Sequence, residues 1–178
     1  LDAQDMKQYG KHFKHFIYSD LKAARYGPKV VATGLTTLGI KCCLEKGNGS
    51  NKYKLTFNDP GRDSLKTKLK RKHDVFGLLS SSTIFGDSLG VKKRKAMLAS
   101  FNSRPDNVYG QNIRFMILDS GFKEGIDLYD VKYVHIFEPQ LTKADETQAI
   151  GRATRFCGQK GLKFVPNKGW ELNIYTYT

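Results

Sequence analysis

The sequence predicts an α/β fold, a mostly parallel sheet with helices on both faces, interrupted by an inserted hairpin and basic segment. Three observations predict it. Short runs of strand type alternate with stretches at helical spacing. Those runs are apolar throughout rather than every second residue, as strands buried on both faces require. Hydrophobic residues make up 39% and aromatics 12% of the 178 residues, enough to build a core in a domain of this size.

The elements follow in order. Residues 1–11 are polar and read as a lead-in or linker. His15–Ser19 is a short strand. In the stretch 28–40, Val31, Leu35 and Leu38 recur at helical spacing behind Gly27-Pro28, a suitable helix start. Lys41–Glu45 and Lys52–Phe57 flank the turn-rich tract KGNGSN and predict a hairpin. With the basic tract 61–73 they form an insertion, 41–74. Val75–Leu79 is a buried strand ending in Ser80-Ser81-Ser82-Thr83. Val91–Asn102 is a helix with Met97, Leu98 and Phe101 as its apolar stripe, and Asn107–Asn112 is a loop. Ile113–Leu118 and Val131–Phe137 are strands, Thr142–Cys157 a helix and Leu172–Tyr177 a closing strand. No stretch approaches ~18 apolar residues, so no membrane-spanning helix is expected, and no signal-peptide pattern opens the chain. The start at Leu1 suggests a piece of something longer.

Charge is distributed unevenly. Residues 1–104 hold 21 Lys+Arg and 8 Asp+Glu, and the remaining residues hold 9 of each, from totals of 30 and 17. A one-sided basic excess favours phosphate-rich partners. Its densest runs are Lys66–Lys72 and Lys92–Lys95, either of which alone is as well explained by a solvated surface. Cys42, Cys43 and Cys157 make a poor disulfide framework and lack zinc spacing, and read as small buried thiols in a reducing compartment. The four histidines form no metal pattern, and no metal ligand is expected.

In a parallel sheet, ligands gather at the carboxyl ends of the strands. Ser80–Thr83, Asp119–Asp127 and Pro139–Asp145 fall there. The sharpest signal lies on the last helix. At ~100° per residue, Gln148, Arg152 and Arg155 fall within about 60° of one another, opposite Ala149, Ile150, Ala153, Phe156 and Cys157. Two planar, permanently charged guanidiniums on one face suit a polyphosphate. The plainer alternative pairs them with Asp145 and Glu146. Gly151, costly inside a helix, suggests that something approaches its backbone closely. In the loop after Leu118, Gly121 and Gly125 let backbone amides approach a phosphate. Asp127 accepts from a sugar hydroxyl or an arginine, or simply caps the turn.

The order DSGFKEGIDL, strand VKYVHIFEP, then QAIGRATR resembles the second RecA-like domain of superfamily 2 helicases and translocases, over about residues 12–178. DSGFKEGIDL is similar to their motif V and QAIGRATRFCG to their motif VI. The wording of EGIDL, VHIFEP and GRATRFCG is similar to the helicase-like ATPases of large cytoplasmic DNA viruses, of the early transcription factor small subunit and nucleoside triphosphate phosphohydrolase type.

The resemblance implies that Arg152 and Arg155 reach the γ-phosphate of ATP held on a partner domain, with Arg155 as the arginine finger. Gln148 holds the nucleotide or its attacking water, and Asp127 contacts the ribose or the motif VI arginines. Gly125 and Gly151 belong to the same nucleotide site. Ser120, Gly121, Ser19, Ser81 and Ser82 touch the nucleic-acid backbone. The chain contains no GxxxxGK[ST] loop and no DExH-type tetrapeptide. The expectation is therefore half of an ATPase, in which an amino-terminal RecA-like lobe holds ATP and Mg2+. The implied partners are nucleic acid, DNA ahead of RNA, and an RNA polymerase or transcription factor; the implied setting is the cytoplasm, in a viral factory or virion. Two other readings compete: a nucleic-acid-binding module without ATP turnover, and a small-molecule phosphate-binding enzyme.

Overall fold

The computed structural model describes residues 1–21, 27–46, 53–55, 74–81, 89–122, 126–138, 142–155 and 157–177. The predicted architecture is present. Six strands form one sheet: β1 (Lys14–Tyr18), β2 (Lys41–Cys42), β5 (Val75–Leu79), β6 (Phe115–Leu118), β7 (Val131–Ile136) and β8 (Asn173–Thr176). The order is β2-β5-β6-β1-β7-β8, and every neighbouring pair is parallel. All residues of β1, β6 and β7 are buried, whereas the edge strand β8 alternates half-buried and exposed. This explains why the central strands read as continuous apolar runs.

Helix α2 (Pro28–Thr37) starts after Gly27, whose φ is 69°. A Cβ there would lie 1.9 Å from the Leu21 carbonyl oxygen, so no other residue fits. Helix α3 (Val91–Asn102) buries Met97 and Phe101. Gly77 lets α3 lie close, since a Cβ at Gly77 would sit 2.9 Å from the Met97 sulfur. Helix α4 (Lys143–Gly151) follows β7, and its Ala149 joins the core with Phe16, Leu118 and Ile136.

Three expectations change. Residues 1–11 are not a plain lead-in, because Asp2–Tyr9 forms helix α1, closed by Gly10 in the left-handed region. The segment 41–74, expected to be an insertion, opens on a strand of the main sheet, where Lys41 and Cys42 pair with Val75 and Phe76 as its edge. The predicted hairpin then follows as β3 (Leu44–Lys46) and β4 (Tyr53–Leu55), antiparallel. The basic tract 61–73 lies outside the described residues. Finally, the last helix stops at Gly151 rather than Cys157.

Several charged groups are buried along the sheet. Arg114, 1% exposed, pairs with Asp74 at 2.5 Å and with Asp2 of α1. His15 is hydrogen-bonded to His135 at 3.0 Å, and His135 to the Tyr177 hydroxyl at 2.8 Å. Burial first, and the neighbouring His15 second, pull His135 down to about 4, so the ring is neutral near pH 7. Lys14 is fully buried, donates to the Phe101 carbonyl at 2.8 Å and lies 4.4 Å over the Phe101 ring.

Burial lowers Lys14 from 10.5 to about 7. Between those values the unfolded chain binds more protons than the folded one, so this group makes stability rise with pH. The Phe101 carbonyl also accepts from the Asn107 side chain at 2.8 Å and keeps that partner without Lys14. Lys14→Met is therefore expected to be neutral or stabilising at pH 7, with an advantage over wild type that shrinks toward pH 10. Denaturant unfolding of both proteins across that range measures it. A Met variant less stable by more than ~2 kcal/mol at pH 7 would contradict this reading.

Candidate nucleotide and nucleic-acid site

Because the strands run parallel, their carboxyl ends share one edge, and Ser19, Ser80, Ser81, Asp119 and Glu138 follow β1, β5, β6 and β7 there. Asp119, 1% exposed, ties two loops together. Its Oδ2 accepts from the Ser80 hydroxyl at 2.8 Å, the Ser81 amide at 2.7 Å and the Ser81 hydroxyl at 2.9 Å. Its Oδ1 accepts from the Gly121 amide at 2.9 Å. A Cβ on Gly121 would come within 2.2 Å of the Ser81 Cβ. Glycine is needed there for the approach of Ser81, whatever else it meets. Ser19 donates to Glu138 at 2.6 Å, and the Asp20 amide to the same carboxylate at 3.1 Å.

Ser19, Ser81 and Ser120 thus lie along one edge, with the hydroxyls of Ser19 and Ser81 already directed at carboxylates. Ser120 opens a single 3-10 turn, Ser120–Phe122. Ser82 and Gly125 lie outside the described residues. Asp119 and Glu138 were not singled out from sequence. Their one local signal is that each is a carboxylate at or just past the end of a fully buried strand. Arg94, from the basic start of α3, stacks 5.5 Å over the Phe122 ring and brings positive charge beside this turn.

The arginines do not share a helix face. Thr142 caps α4 by accepting from the Asp145 amide at 3.1 Å. After Gly151 the chain tightens, with Arg152 N bonded to Ala149 O and Ala153 N to Ile150 O. Arg152 is 8% exposed and lines a small pocket with Tyr18, Asp119, Phe122, Asp145 and Gln148. Burial, then the carboxylates of Asp20, Asp145, Asp119 and Glu138, hold the Tyr18 phenol well above its ordinary value. The inward arginine therefore sits in acidic surroundings. Arg155 lies beyond the helix, its side chain 51% exposed, with Nε 2.9 Å from Oδ1 of Asp127, itself 45% exposed. Asp145 and Glu146 are not its partners. Among the described residues, nothing beyond its chain neighbours and the helix's own backbone lies within 4 Å of a Cβ built on Gly151, so the backbone there is open.

The two motifs are stitched together by backbone as well. Leu128 N donates to Arg152 O at 3.1 Å, and Asp130 N to Gly158 O at 2.7 Å. An exposed pair such as Arg155–Asp127 contributes about 0–1 kcal/mol, so a phosphate can displace the carboxylate at little cost. Among the described residues no group of three or more His, Cys, Asp and Glu is placed to hold a metal ion. Nor is any helix among them long and apolar enough to cross a membrane.

A family model described as the helicase conserved C-terminal domain matches residues 50–157. The chain belongs to that family. A putative ATP-dependent RNA helicase, R563, of Acanthamoeba polyphaga mimivirus is 37% identical over 78 residues, 44% of this chain and 13% of that protein. A termination factor NPH-I homolog of African swine fever virus (isolate Pig/Kenya/KEN-50/1950) is 28% identical over 155 residues, 82% of this chain and 21% of that protein. The chain thus spans about a fifth or less of these relatives' length. The crystal structure of the C-terminal part of the Fun30 ATPase domain aligns with a TM-score of 0.52 at 19% identity, covering 96% of this chain and 36% of that one. That likeness shows a RecA-like α/β fold for the helicase C-terminal domain described here.

Proposed function

We propose that residues 12–178, with an insertion after Cys42, act as the carboxy-terminal lobe of an ATP-dependent nucleic-acid translocase in viral transcription. In this reading Arg155 is the arginine finger, reaching the γ-phosphate of ATP held with Mg2+ on an amino-terminal RecA-like lobe. The carrying observation is the Arg155–Asp127 pair: a half-exposed guanidinium parked on a motif V carboxylate, weakly enough to be handed to a phosphate. Arg152, 8% exposed in the pocket lined by Tyr18, Leu118 and Asp119, is the second arginine of this reading, and Gln148, exposed beside it, stays available to nucleotide or water. Nucleic acid runs along Ser19, Ser81, Ser120 and Gly121, with DNA ahead of RNA. The names of the viral relatives, a termination factor NPH-I homolog and a putative ATP-dependent RNA helicase, support this setting. An RNA polymerase or transcription factor as partner, and a cytoplasmic viral factory, belong to the same proposal.

The surface test is electrostatic. The chain should bind a single-stranded oligonucleotide with log affinity falling linearly against log salt, by about 10-fold or more between 50 and 200 mM. The basic start of α3 beside Phe122 supports this. Affinity independent of salt over that range would contradict phosphate contacts, and with them the nucleic-acid half of the reading.

A further inference from the structure

Arg104, just past the end of α3, and Asp130, just before β7, meet in a two-pronged ion pair that the motif descriptions do not include. Arg104 Nε donates to Asp130 Oδ2 at 2.6 Å and Nη2 to Oδ1 at 2.8 Å. Asp130 is fully buried and adopts a φ of 57°, unusual for a residue with a side chain. Its Oδ1 also accepts from the Gly161 amide at 2.8 Å, and a Cβ on Gly161 would press within 2.8 Å of the carboxylate. The Arg104 guanidinium donates onward to Gly158 O at 2.6 Å and stacks 4.9 Å over the Tyr129 ring.

These contacts converge on the turn that carries Arg155. Gly158 N donates to Arg155 O at 2.7 Å, while Gly158 O accepts from both Asp130 N and Arg104. On the other flank, Asn102 brackets the end of the motif V loop, donating to Asp127 O and accepting from Tyr129 N, both at 2.8 Å. Arg155 is thereby held at its carbonyl by the Gly158 turn and at its guanidinium by Asp127, and both holds trace back to the end of α3.

We infer that Arg104 and Asp130 are positioning residues, a clamp that sets where the Arg155 guanidinium sits relative to a bound triphosphate. The inference rests on the proposed role of Arg155. A planar fork locked by a buried carboxylate fixes distance and angle together, which a lysine does not. Displacements near 1 Å cost up to ~10²-fold in turnover without weakening substrate binding. The clamp acts on the transition-state contact alone, so its loss lowers kcat and leaves KM in place.

The test is a double-mutant cycle in the full-length two-lobed protein, with nucleic-acid-stimulated ATP hydrolysis as readout and thermal unfolding as the check on folding. Arg104→Lys should lower kcat by about 10–100-fold with KM for ATP changed less than about 3-fold. Asp130→Asn, which keeps size and one acceptor, should fall between it and wild type. In an Arg155→Ala background, Arg104→Lys should cost no more than about 2-fold further, because the group it positions is gone. An equal loss in both backgrounds would overturn the clamp while leaving the finger intact. Unchanged kcat in Arg104→Lys alone would do the same. If Arg155→Ala itself left kcat intact, the finger assignment would fail and the clamp with it.

Discussion

Replacing Arg155 with alanine in the two-lobed protein is expected to cut ATP hydrolysis by about 10³–10⁵-fold, with nucleotide affinity changed less than about 10-fold. The expectation follows from where charge develops. A loose phosphoryl transition state spreads charge over the equatorial oxygens of the transferred group, and a guanidinium brought from the opposing lobe stabilises it more than the ground state. The exposure of Arg155 suits that proposed role. Arg155 stands outside helix α4, half exposed, on an ion pair with an equally exposed Asp127. The same exposure means that the substitution removes little folding energy, so the loss should appear in turnover and not in unfolding. Arg155→Lys should recover part of the rate, since a point charge remains but the planar fork does not. Steady-state kcat beside an independent nucleotide-binding measurement separates these outcomes.

The largest stability effect is expected from Asp5→Ala. Asp5 is 2% exposed; its carboxylate accepts from Lys132 Nζ at 2.7 Å and from the Tyr133 hydroxyl at 2.7 Å. Lys132 is itself 4% exposed, packed 4.3 Å from the Tyr9 ring and 4.2 Å from the Phe13 ring. Burial, then the Asp5 carboxylate, holds the Tyr133 phenol above its ordinary value, in line with that contact. Deleting the carboxylate leaves a buried ammonium whose remaining acidic neighbour, Glu171, is 3.8 Å away on an exposed side chain. Breaking a buried pair from one side costs about 3–5 kcal/mol. For a chain of this size that is a fall of roughly 6–20 °C in Tm. A change below ~1 kcal/mol by denaturant unfolding would mean that α1 is not part of the folded unit.

Both variants show where the sequence could and could not be read. Strands β1, β5, β6 and β7 were legible because continuous apolar runs have few other uses in a domain of this size. Helix α3 was legible from its spacing, and the β3–β4 hairpin from its turn residues. Helix α1 was not, because its polar surface carries little apolar periodicity. It is held by carboxylates whose partners, Lys132 and Tyr133, lie 127 and 128 residues away. The strand at Lys41–Cys42 was hidden for a related reason: two residues carry no period, and their pairing is set by β5.

At the site, the two motifs were legible as words but not as geometry. Residues 152–157 continue the helical pattern of α4, so a wheel drawn through them brings Arg152 and Arg155 together. The chain instead turns after Gly151, where the Arg152 carbonyl takes the Leu128 amide rather than a helical partner. One arginine goes inward and the other out. Asp119, Arg104 and Asp130 show no local pattern, since each acts on loops 26 to 54 residues away or on the neighbouring strand end.

The most direct measurement is the position of the Arg155 guanidinium in the two-lobed protein bound to a mimic of ATP at the phosphoryl-transfer transition state. The guanidinium is expected to leave Asp127 and lie within about 3 Å of the γ-phosphate mimic across a closed cleft. A closed cleft with Arg155 still on Asp127, and another group on the mimic, would contradict the arginine-finger assignment.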